Sequence, residues 1–302
     1  MEKHKFFLIV NPTAGHGRCH TIFPAVRKEL KRRGGEFDHH FTNEPMEAAD
    51  IAQMVIKKGF THIVAVGGDG TVNEVVNGMQ EMGTEQPLAV IPAGSGNDFC
   101  RMNGIPLDPF AAIDVLLDGR EITIDLGHVE GDRYFINGVG IGIDATVARD
   151  VLKSTRLRGA PAYFVSAVRQ VFGFRSFPVT AESEGHRRDY DCMSLGIANG
   201  QYVGGGFKMA PNADVSDGLL DLNIIENMPI LKRLVCLPAA RKGKHLGLSE
   251  VDCRQVATVE ISSPSRLVAH MDGEEYRLPG SRFRVSAVPN ALRICVPQQA
   301  FK

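Results

Sequence analysis

Along the first hundred or so residues, short apolar runs alternate with longer stretches of helical period. Phe6–Val10, His62–Val66 and Leu88–Ile91 are nearly unbroken apolar runs, and Glu36–Phe41 is a fourth strand-like segment. Continuous apolar runs of this length suit strands buried on both faces of a parallel sheet. Between them, helices are predicted near Thr21–Arg33, Glu47–Lys58, Thr71–Gln80 and Pro109–Leu117. In the third, Val72, Val75, Val76 and Met79 fall on one face, and Thr71 with Glu74 has the spacing of a capping box. Gly34-Gly35 and Gly59 stop two of the helices. Strands and helices in alternation predict a doubly wound α/β domain.

From Glu121 the period changes to two. Strands are predicted at Glu121–Val129, Tyr134–Val139, Phe177–Glu184, Asp191–Ala198, Gly218–Ile225, Val256–Ser262, Arg266–His270, Glu275–Leu278 and Arg282–Ala287. Helical stretches interrupt them near Ala145–Phe172 and Pro229–His245. The pattern predicts an α/β domain over residues 1–122 and a β-rich, β-sandwich-like domain over 123–289.

Three of the early strands run into loops rich in glycine, hydroxyl and amide groups. They are Asn11-Pro12-Thr13-Ala14-Gly15-His16-Gly17, Gly67-Gly68-Asp69-Gly70-Thr71-Val72-Asn73-Glu74, and Pro92-Ala93-Gly94-Ser95-Gly96-Asn97-Asp98. Each leaves the C-terminal end of a parallel strand, the edge at which open α/β sheets bind ligands. The second loop opens a helix, so its N–H groups and the helix dipole converge on one point that suits a phosphate. Asp69 in such a loop would repel a phosphate unless a divalent cation lay between them, which points to a metal–nucleotide complex. The other reading of Asp69-Gly70 is an ordinary turn after a strand. No Gly-x-x-x-x-Gly-Lys-Ser/Thr occurs, and Gly-x-Gly-x-x-Gly fails at its third glycine after Gly15, Gly94, Gly138 and Gly140. A P-loop NTPase and a Rossmann oxidoreductase are therefore disfavoured.

Asn11-Pro12-x-x-Gly15, Gly67-Gly68-Asp69-Gly70-Thr71 with Asn73-Glu74, and Gly94-Ser95-Gly96-Asn97-Asp98-Phe99 together resemble the diacylglycerol kinase catalytic family. The branch they most resemble is that of the soluble bacterial lipid kinases, with sphingosine and ceramide kinases as relatives. Asn199-Gly200-x-Tyr202-x-Gly204-Gly205-Gly206, Ala210-Pro211-x-Ala213, Asp217-Gly218-Leu219-Leu220-Asp221 and Asp272-Gly273-Glu274 extend the resemblance over nearly the whole chain. The glycine–aspartate core alone also occurs in NAD kinases and phosphofructokinases; the later motifs select the lipid kinases.

The resemblance implies ATP and Mg2+ as cofactors, transfer of the γ-phosphate to a lipid hydroxyl such as that of diacylglycerol, and an active site in a cleft between the domains. It implies that residues 290–302 return to the first domain. It assigns nucleotide contacts to Asn11, Pro12, Thr13, Ala14, Gly15, Thr42, Gly68 through Glu74 and Ser95. Asp69, Asp98 and Asp125 match positions that organise Mg2+ through water, while Asp214, Asp217 and Leu219 match a second cation site away from the chemistry. Glu274 matches the general base, with Asp69 beside it as the second catalytic carboxylate. Each has a plainer reading: a hairpin tip for Glu274, an N-cap for Asp98, a solvated strand end for Asp125, a helix cap for Thr42 and a turn for Asp217-Gly218. The chain departs from the family at His16, where a lysine or arginine is common. Gly138-x-Gly140-x-Gly142-x-Asp144 either lines the cleft or forms a strand relaxed by glycine.

Composition changes the picture little. A net charge of −1 over 302 residues argues against nucleic acid as the main partner. The six cysteines form no Cys-x-x-Cys pair, so a reducing cytosol fits better than a disulfide framework. The apolar run after Lys3 and Lys5 ends at Asn11-Pro12, too short for a signal-peptide core, and no run approaches the ~18 apolar residues of a membrane span. The residues of Val151–Arg175 and Leu231–Gly247 instead combine basic with apolar side chains: Lys153, Arg156, Arg158, Arg169 and Arg175, then Lys232, Arg233, Arg241, Lys242 and Lys244. Such segments can lie on an anionic membrane surface or form a solvated helix face. A cytoplasmic enzyme peripherally associated with the inner face of the membrane is expected, its oligomeric state open, a homodimer included. A soluble-substrate kinase of the NAD kinase type and a catalytically decayed lipid- or nucleotide-binding regulator are the competing readings.

Overall fold

The structure, a computed structural model, describes residues 4–153 and 159–300, without the side chains of residues 152, 153, 159, 160 and 163. Two compact units divide the chain, residues 1–124 with 290–302 and residues 125–289.

The first unit contains β1 (Lys5–Val10), α1 (Arg18–Arg32), β2 (Glu36–Phe41), α2 (Glu47–Ile56), β3 (His62–Gly67), α3 (Asp69–Glu81), β4 (Leu88–Pro92), α4 (Asp98–Met102) and α5 (Pro109–Asp118). Its strands lie in the order β4-β3-β1-β2, all parallel. β1, β3 and β4 are buried along almost their whole lengths, which explains their unbroken apolar runs; β2, at the edge, alternates exposed with half-buried residues. Phe23, Val26 and Leu30 of α1 and Ile113 of α5 complete the core.

The helix after β3 begins at Asp69, two residues earlier than its apolar period predicts, with Gly68 as N-cap. Thr71 therefore sits inside the first turn, and the capping box does not form. Glu74 instead accepts a hydrogen bond from the Ala48 N–H at 3.3 Å. The early start rests on glycine: a Cβ on Gly67 would stand 2.4 Å from Thr71 Oγ1, so only glycine lets the helix fold directly back over the strand end. The short α4 carries too few residues to show a period, and the sequence does not predict it.

β5 (Arg120–Val129) starts in the first unit and ends in the second. The second unit continues with β6 (Tyr134–Phe135), β7 (Gly138–Gly142), α6 (Ile143–Lys153), α7 (Gly159–Gly173), β8 (Phe177–Ser183), β9 (His186–Ala198), β10 (Leu220–Glu226), α8 (Ile230–Arg241), β11 (Val251–Val256), β12 (Thr258–Ser262), β13 (Ala269–Met271), β14 (Glu274–Tyr276) and β15 (Arg282–Val296). Its strands are antiparallel in the order β14-β13-β7-β9-β8-β12-β15, and β10 pairs with β9 and β11. The single helical stretch expected over 145–172 is two helices; residues 154–158 of it lie outside the described residues. The expected strand Val256–Ser262 starts only at Thr258, and β11 before it is an additional strand. β15 does not stop at Ala287. It runs through Pro289 to Ile294, which pairs in parallel with Leu88 of β4. Pro289 lies between the residues that pair with β12, Arg282 to Ser286, and Ile294, which pairs with β4.

On β7 the side chains of Val139 and Ile141 enter the core with Leu195, Ile197, Leu222 and Ile224. Gly138, Gly140 and Gly142 alternate with them and so face the other way. A Cβ on Gly140 would meet His270 Nε2 at 2.2 Å. The glycine triplet is a strand over which a buried side chain packs closely.

Candidate active site

The three loops of the first unit interlock. Asn11 Nδ2 donates to Thr71 Oγ1 at 3.0 Å, while its Oδ1 accepts from the N–H and hydroxyl of Thr13 at 3.0 and 2.8 Å. Thus the first loop is tied to the first turn of α3. Gly15, at φ 61°, passes so close to the third loop that a Cβ would stand 2.2 Å from the Ala93 carbonyl oxygen. Gly68 and Gly94 touch: a Cβ on Gly94 would lie 2.4 Å from Gly68 Cα. The N–H groups of Ala93 and Gly94 both donate to the Gly67 carbonyl, at 2.8 and 3.1 Å. Any larger residue at these three glycines would separate the loops.

Asp69 is the first residue of α3, and its Oδ1 accepts the Phe99 N–H at 2.9 Å. This carboxylate caps the start of α4 and sits among the N–H groups that open α3, which have no intrahelical acceptor. Asp98 is buried at the first position of α4, after the N-cap residue Asn97, whose own side chain does not cap the helix; Arg101 lies 3.7 Å from Asp98. Its N-cap reading fails. Thr42 is buried at the end of β2, its N–H on the Val10 carbonyl, and it caps no helix because α2 starts five residues later. Pro12 and Ala14 are half-buried in the first loop, Gly70, Val72 and Asn73 lie in the first turns of α3, and Ser95 is exposed on the third loop. The first unit thus brings together Asn11 through Gly15, Gly68 through Glu74 and Ser95 around the ends of β1, β3 and β4.

The second unit holds the remaining acidic groups. Asp125 is buried rather than a solvated strand end. Its Oδ2 accepts the Gly218 N–H at 2.7 Å, and its own N–H donates to the Val215 carbonyl. It therefore anchors the 214–219 loop. In that loop Asp214 Oδ1 accepts from Ser216 N–H and hydroxyl, and Asp217 accepts from the Leu219 N–H at 2.9 Å and Gln255 Nε2 at 2.7 Å. Among the described residues no group of three His, Cys, Asp or Glu side chains could hold a metal ion by itself. A cation at Asp214, Asp217 and Leu219 would have to draw on peptide carbonyls.

Glu274 is exposed on the first residue of β14, opposite Met271, just past the turn Asp272-Gly273. Both turn residues have positive φ, 50° and 88°, which suits the tight turn of a two-residue hairpin. The hairpin reading is therefore correct as far as the backbone goes. Sequence reasoning missed Asp272. Its buried carboxylate accepts three backbone N–H groups, those of Ile136, Asn137 and Gly138, at 2.9, 2.8 and 3.0 Å. Asp-Gly reads as a turn in sequence, and nothing in it reveals a carboxylate aimed inward.

Beside this sheet, α6, α7 and α8 enclose a cavity with about 860 Å3 of empty space, its open mouth included. Val147, Val171, Met193, Met209, Met228 and Leu237 are among its apolar walls. At its wall the buried carboxylate of Asp144 accepts the Ser194 hydroxyl at 2.6 Å, and burial pushes its pKa up to about 6. On the outer faces of α7 and α8, Phe164, Val165, Phe172, Leu231 and Val235 are exposed, with Leu231 at 78%. Arg169, Arg175, Arg241, Lys242 and Lys244 are exposed nearby in sequence. Arg233 is not part of that face: its guanidinium donates to the carbonyls of Val171, Phe174 and Met228 and ties α8 to α7. Lys232 pairs with Glu250. Arg156 and Arg158, and the side chain of Lys153, lie outside the described residues. Among the described residues no helix is long and apolar enough to cross a membrane.

Comparison with known proteins places this glycine-loop α/β unit and β-rich unit among the phosphotransferases. The diacylglycerol kinase catalytic domain matches residues 5–129, and the YegS C-terminal NAD kinase beta sandwich-like domain matches residues 137–296. A diacylglycerol kinase of Mycobacterium tuberculosis is 31% identical over 305 residues, covering 98% of this chain and 96% of the relative. A Pseudomonas aeruginosa protein named "Probable lipid kinase YegS-like" is 32% identical over 303 residues, with the same coverages. A crystal structure of a diacylglycerol kinase from Bacillus anthracis, 22% identical, covers 98% of both chains with a TM-score of 0.76, which shows the fold. The chain belongs to the bacterial diacylglycerol kinase and YegS-like lipid kinase family. It is a lipid kinase, and ATP and a lipid are its substrates.

Proposed function

We propose that this kinase transfers the γ-phosphate of ATP to the free hydroxyl of diacylglycerol, giving phosphatidic acid and ADP. The observation that carries the choice of acceptor is the 31% identity, over 98% of the chain, to a relative named for that substrate. The apolar cavity under α6–α8 supports it, because acyl chains need such walls. In this reading the interlocked loops from Asn11 through Gly15 and Gly68 through Glu74, with Thr42 and Ser95, cradle the nucleotide. Asp69 and Asp98, with Asp125, hold the water shell of a Mg2+ ion, which supplies charge neutralisation on the phosphates. The fit rests on chemistry: a carboxylate among phosphate-facing N–H groups is repulsive to ATP without a cation. Glu274 takes the proton of the lipid hydroxyl as its oxygen attacks phosphorus and the bond to ADP breaks.

Labelled ATP with Mg2+ and diacylglycerol in mixed micelles tests this. Label is expected in organic-extractable phosphatidic acid, and Asp69→Ala is expected to raise the KM for ATP while also weakening the α4 cap. Label that stays in aqueous product would establish the soluble-substrate alternative.

The loop of Asp214, Asp217 and Leu219 is proposed to take a second cation. Mg2+ alone should then raise the Tm of the wild type, because a ligand of the folded state stabilises it. Asp217→Asn retains an oxygen for the Leu219 N–H but removes the charge, and should lose that Mg2+ shift. Equal Mg2+ shifts in both proteins would place the cation elsewhere.

The exposed apolar and basic side chains of α7 and α8 are proposed to rest on anionic lipid. Co-sedimentation with anionic vesicles should fall as salt approaches 1 M, where the Debye length is about 3 Å. Binding indifferent to salt and to lipid charge would refute the role of the basic residues.

A further inference from the structure

Three arginines of the second unit open onto one cleft. Arg149 comes from α6, Arg266 from the segment between β12 and β13, and Arg277 from the segment after β14. Among the described residues none of the three has a carboxylate or another hydrogen-bond acceptor as partner. On the neighbouring β15, by contrast, Arg282 and Arg284 both pair with Glu260. The cleft holds about 1320 Å3 of empty space, its open side included. Its two rims are tied together at the base. The Ser263 N–H donates to the Ser281 carbonyl at 2.9 Å, while the buried Ser263 hydroxyl donates to the Pro178 carbonyl and accepts the Ser265 N–H. Pro264 and Pro279 stiffen the rims by fixing their own φ. The fold itself therefore holds the cleft in shape.

Glu275 is the only acid among the described residues that line it. Side chains alternate along a strand, so Glu275 and Glu274 leave β14 on opposite faces, and Glu274 does not line the cleft. Three guanidinium groups against one carboxylate leave the cleft with a net charge of +2. Like charges gathered without partners repel one another, and an anion among them removes that cost. Guanidinium forks match phosphate oxygens in geometry. A phosphomonoester carries about −1.5 to −2 charges near neutral pH and three acceptor oxygens. It complements the cleft in charge, and a phosphodiester is the poorer match on both counts. The reaction makes such a group, because phosphate transfer to any lipid hydroxyl yields a phosphomonoester lipid.

We infer that this cleft seats the phosphomonoester head group of the lipid product, and so retains the enzyme on membrane that it has already phosphorylated. The inference needs the lipid-kinase activity alone, whichever lipid is the acceptor. A free phosphate is the weaker occupant, since exposed ion pairs in water contribute little. At an anionic membrane surface each arginine instead contributes about a fivefold gain in binding. Val268, exposed at the same cleft, adds an apolar contact suited to a lipid.

The test uses phosphatidic acid as the probe, in phosphatidylcholine vesicles, against phosphatidylglycerol vesicles of equal surface charge. The basic side chains of α7 and α8 respond to surface charge, so matching it isolates the cleft. The wild type should bind the phosphatidic acid vesicles severalfold more tightly. Arg266→Gln and Arg277→Gln should each weaken that binding about fivefold, and binding to phosphatidylglycerol far less. Glu275→Gln should strengthen it, a direction that misfolding does not produce. In mixed micelles the arginine variants should keep the kcat and the ATP KM of the wild type. Equal binding of the wild type to both vesicles, or equal losses on both in the arginine variants, would overturn the inference and leave a basic face that attracts any anionic membrane. Soluble glycerol phosphate that binds as tightly as the vesicles would make the occupant a free phosphate instead. A fall in micellar kcat in the arginine variants would overturn it as well, by assigning the cleft to the acceptor.

Discussion

Glu274→Gln should lower kcat by about 10²–10⁴-fold, the usual contribution of a general base. Gln has the size and hydrogen-bonding reach of Glu but does not accept a proton at neutral pH. The substitution leaves the backbone of the hairpin intact. Position 274 is exposed, its backbone pairing with Met271 needs no particular side chain, and the turn is made by Asp272 and Gly273. Exposed substitutions of this kind usually change stability by less than about 0.5 kcal/mol. ATP affinity, which the proposal above assigns to loops of the other unit, should be unchanged. Single-turnover measurements with saturating ATP separate these effects, since the loss should appear in the chemical step. A near-normal kcat would leave Glu274 as a hairpin residue only.

Asp272→Ala should instead act through stability. The carboxylate pairs three backbone N–H groups in a buried place. Removing it leaves those donors without an acceptor, at about 1–3 kcal/mol each. Even at the low end this is about 3 kcal/mol, which for a unit of this size means a fall in Tm of about 6–12 °C. Alanine at a φ of 50° adds strain. The kcat should fall too, because the hairpin that carries Glu274 loses its tether, while ATP binding survives. Thermal melts beside isothermal ATP titration check both statements. An unaltered Tm would mean that water replaces the carboxylate at no cost.

Much of this was legible in the chain. The long apolar runs became β1, β3 and β4 because both their faces are buried, so no polar residue interrupts them. The glycine loops announced close backbone approach, and Gly15, Gly68 and Gly94 make it. Tertiary choices were not legible. Asp125 reads as polar at a strand end, and only the return of the 214–219 loop shows that it is buried on Gly218. The capping-box spacing of Thr71 and Glu74 was overridden by a helix that starts on Gly68. The strand expected to end at Ala287 runs on through Pro289 to Val296 as β15. Arg149, Arg266 and Arg277 stand in three separate segments, and only the packing of α6 on β13 and β14 brings them to one cleft.

The passage of β15 through Pro289 also bears on biosynthesis. Leu292, Ile294 and Val296 are buried in the first unit, yet they leave the ribosome only after the whole β-rich unit. Domains generally fold as they emerge, N-terminal first. Here that order cannot hold to completion, since the early α/β unit waits with an open strand position beside β4 until the whole β-rich unit has been made. The nascent chain therefore carries an incomplete sheet edge through most of its synthesis, and a ribosome stalled before residue 290 releases a first unit that is unfinished whatever the state of the second.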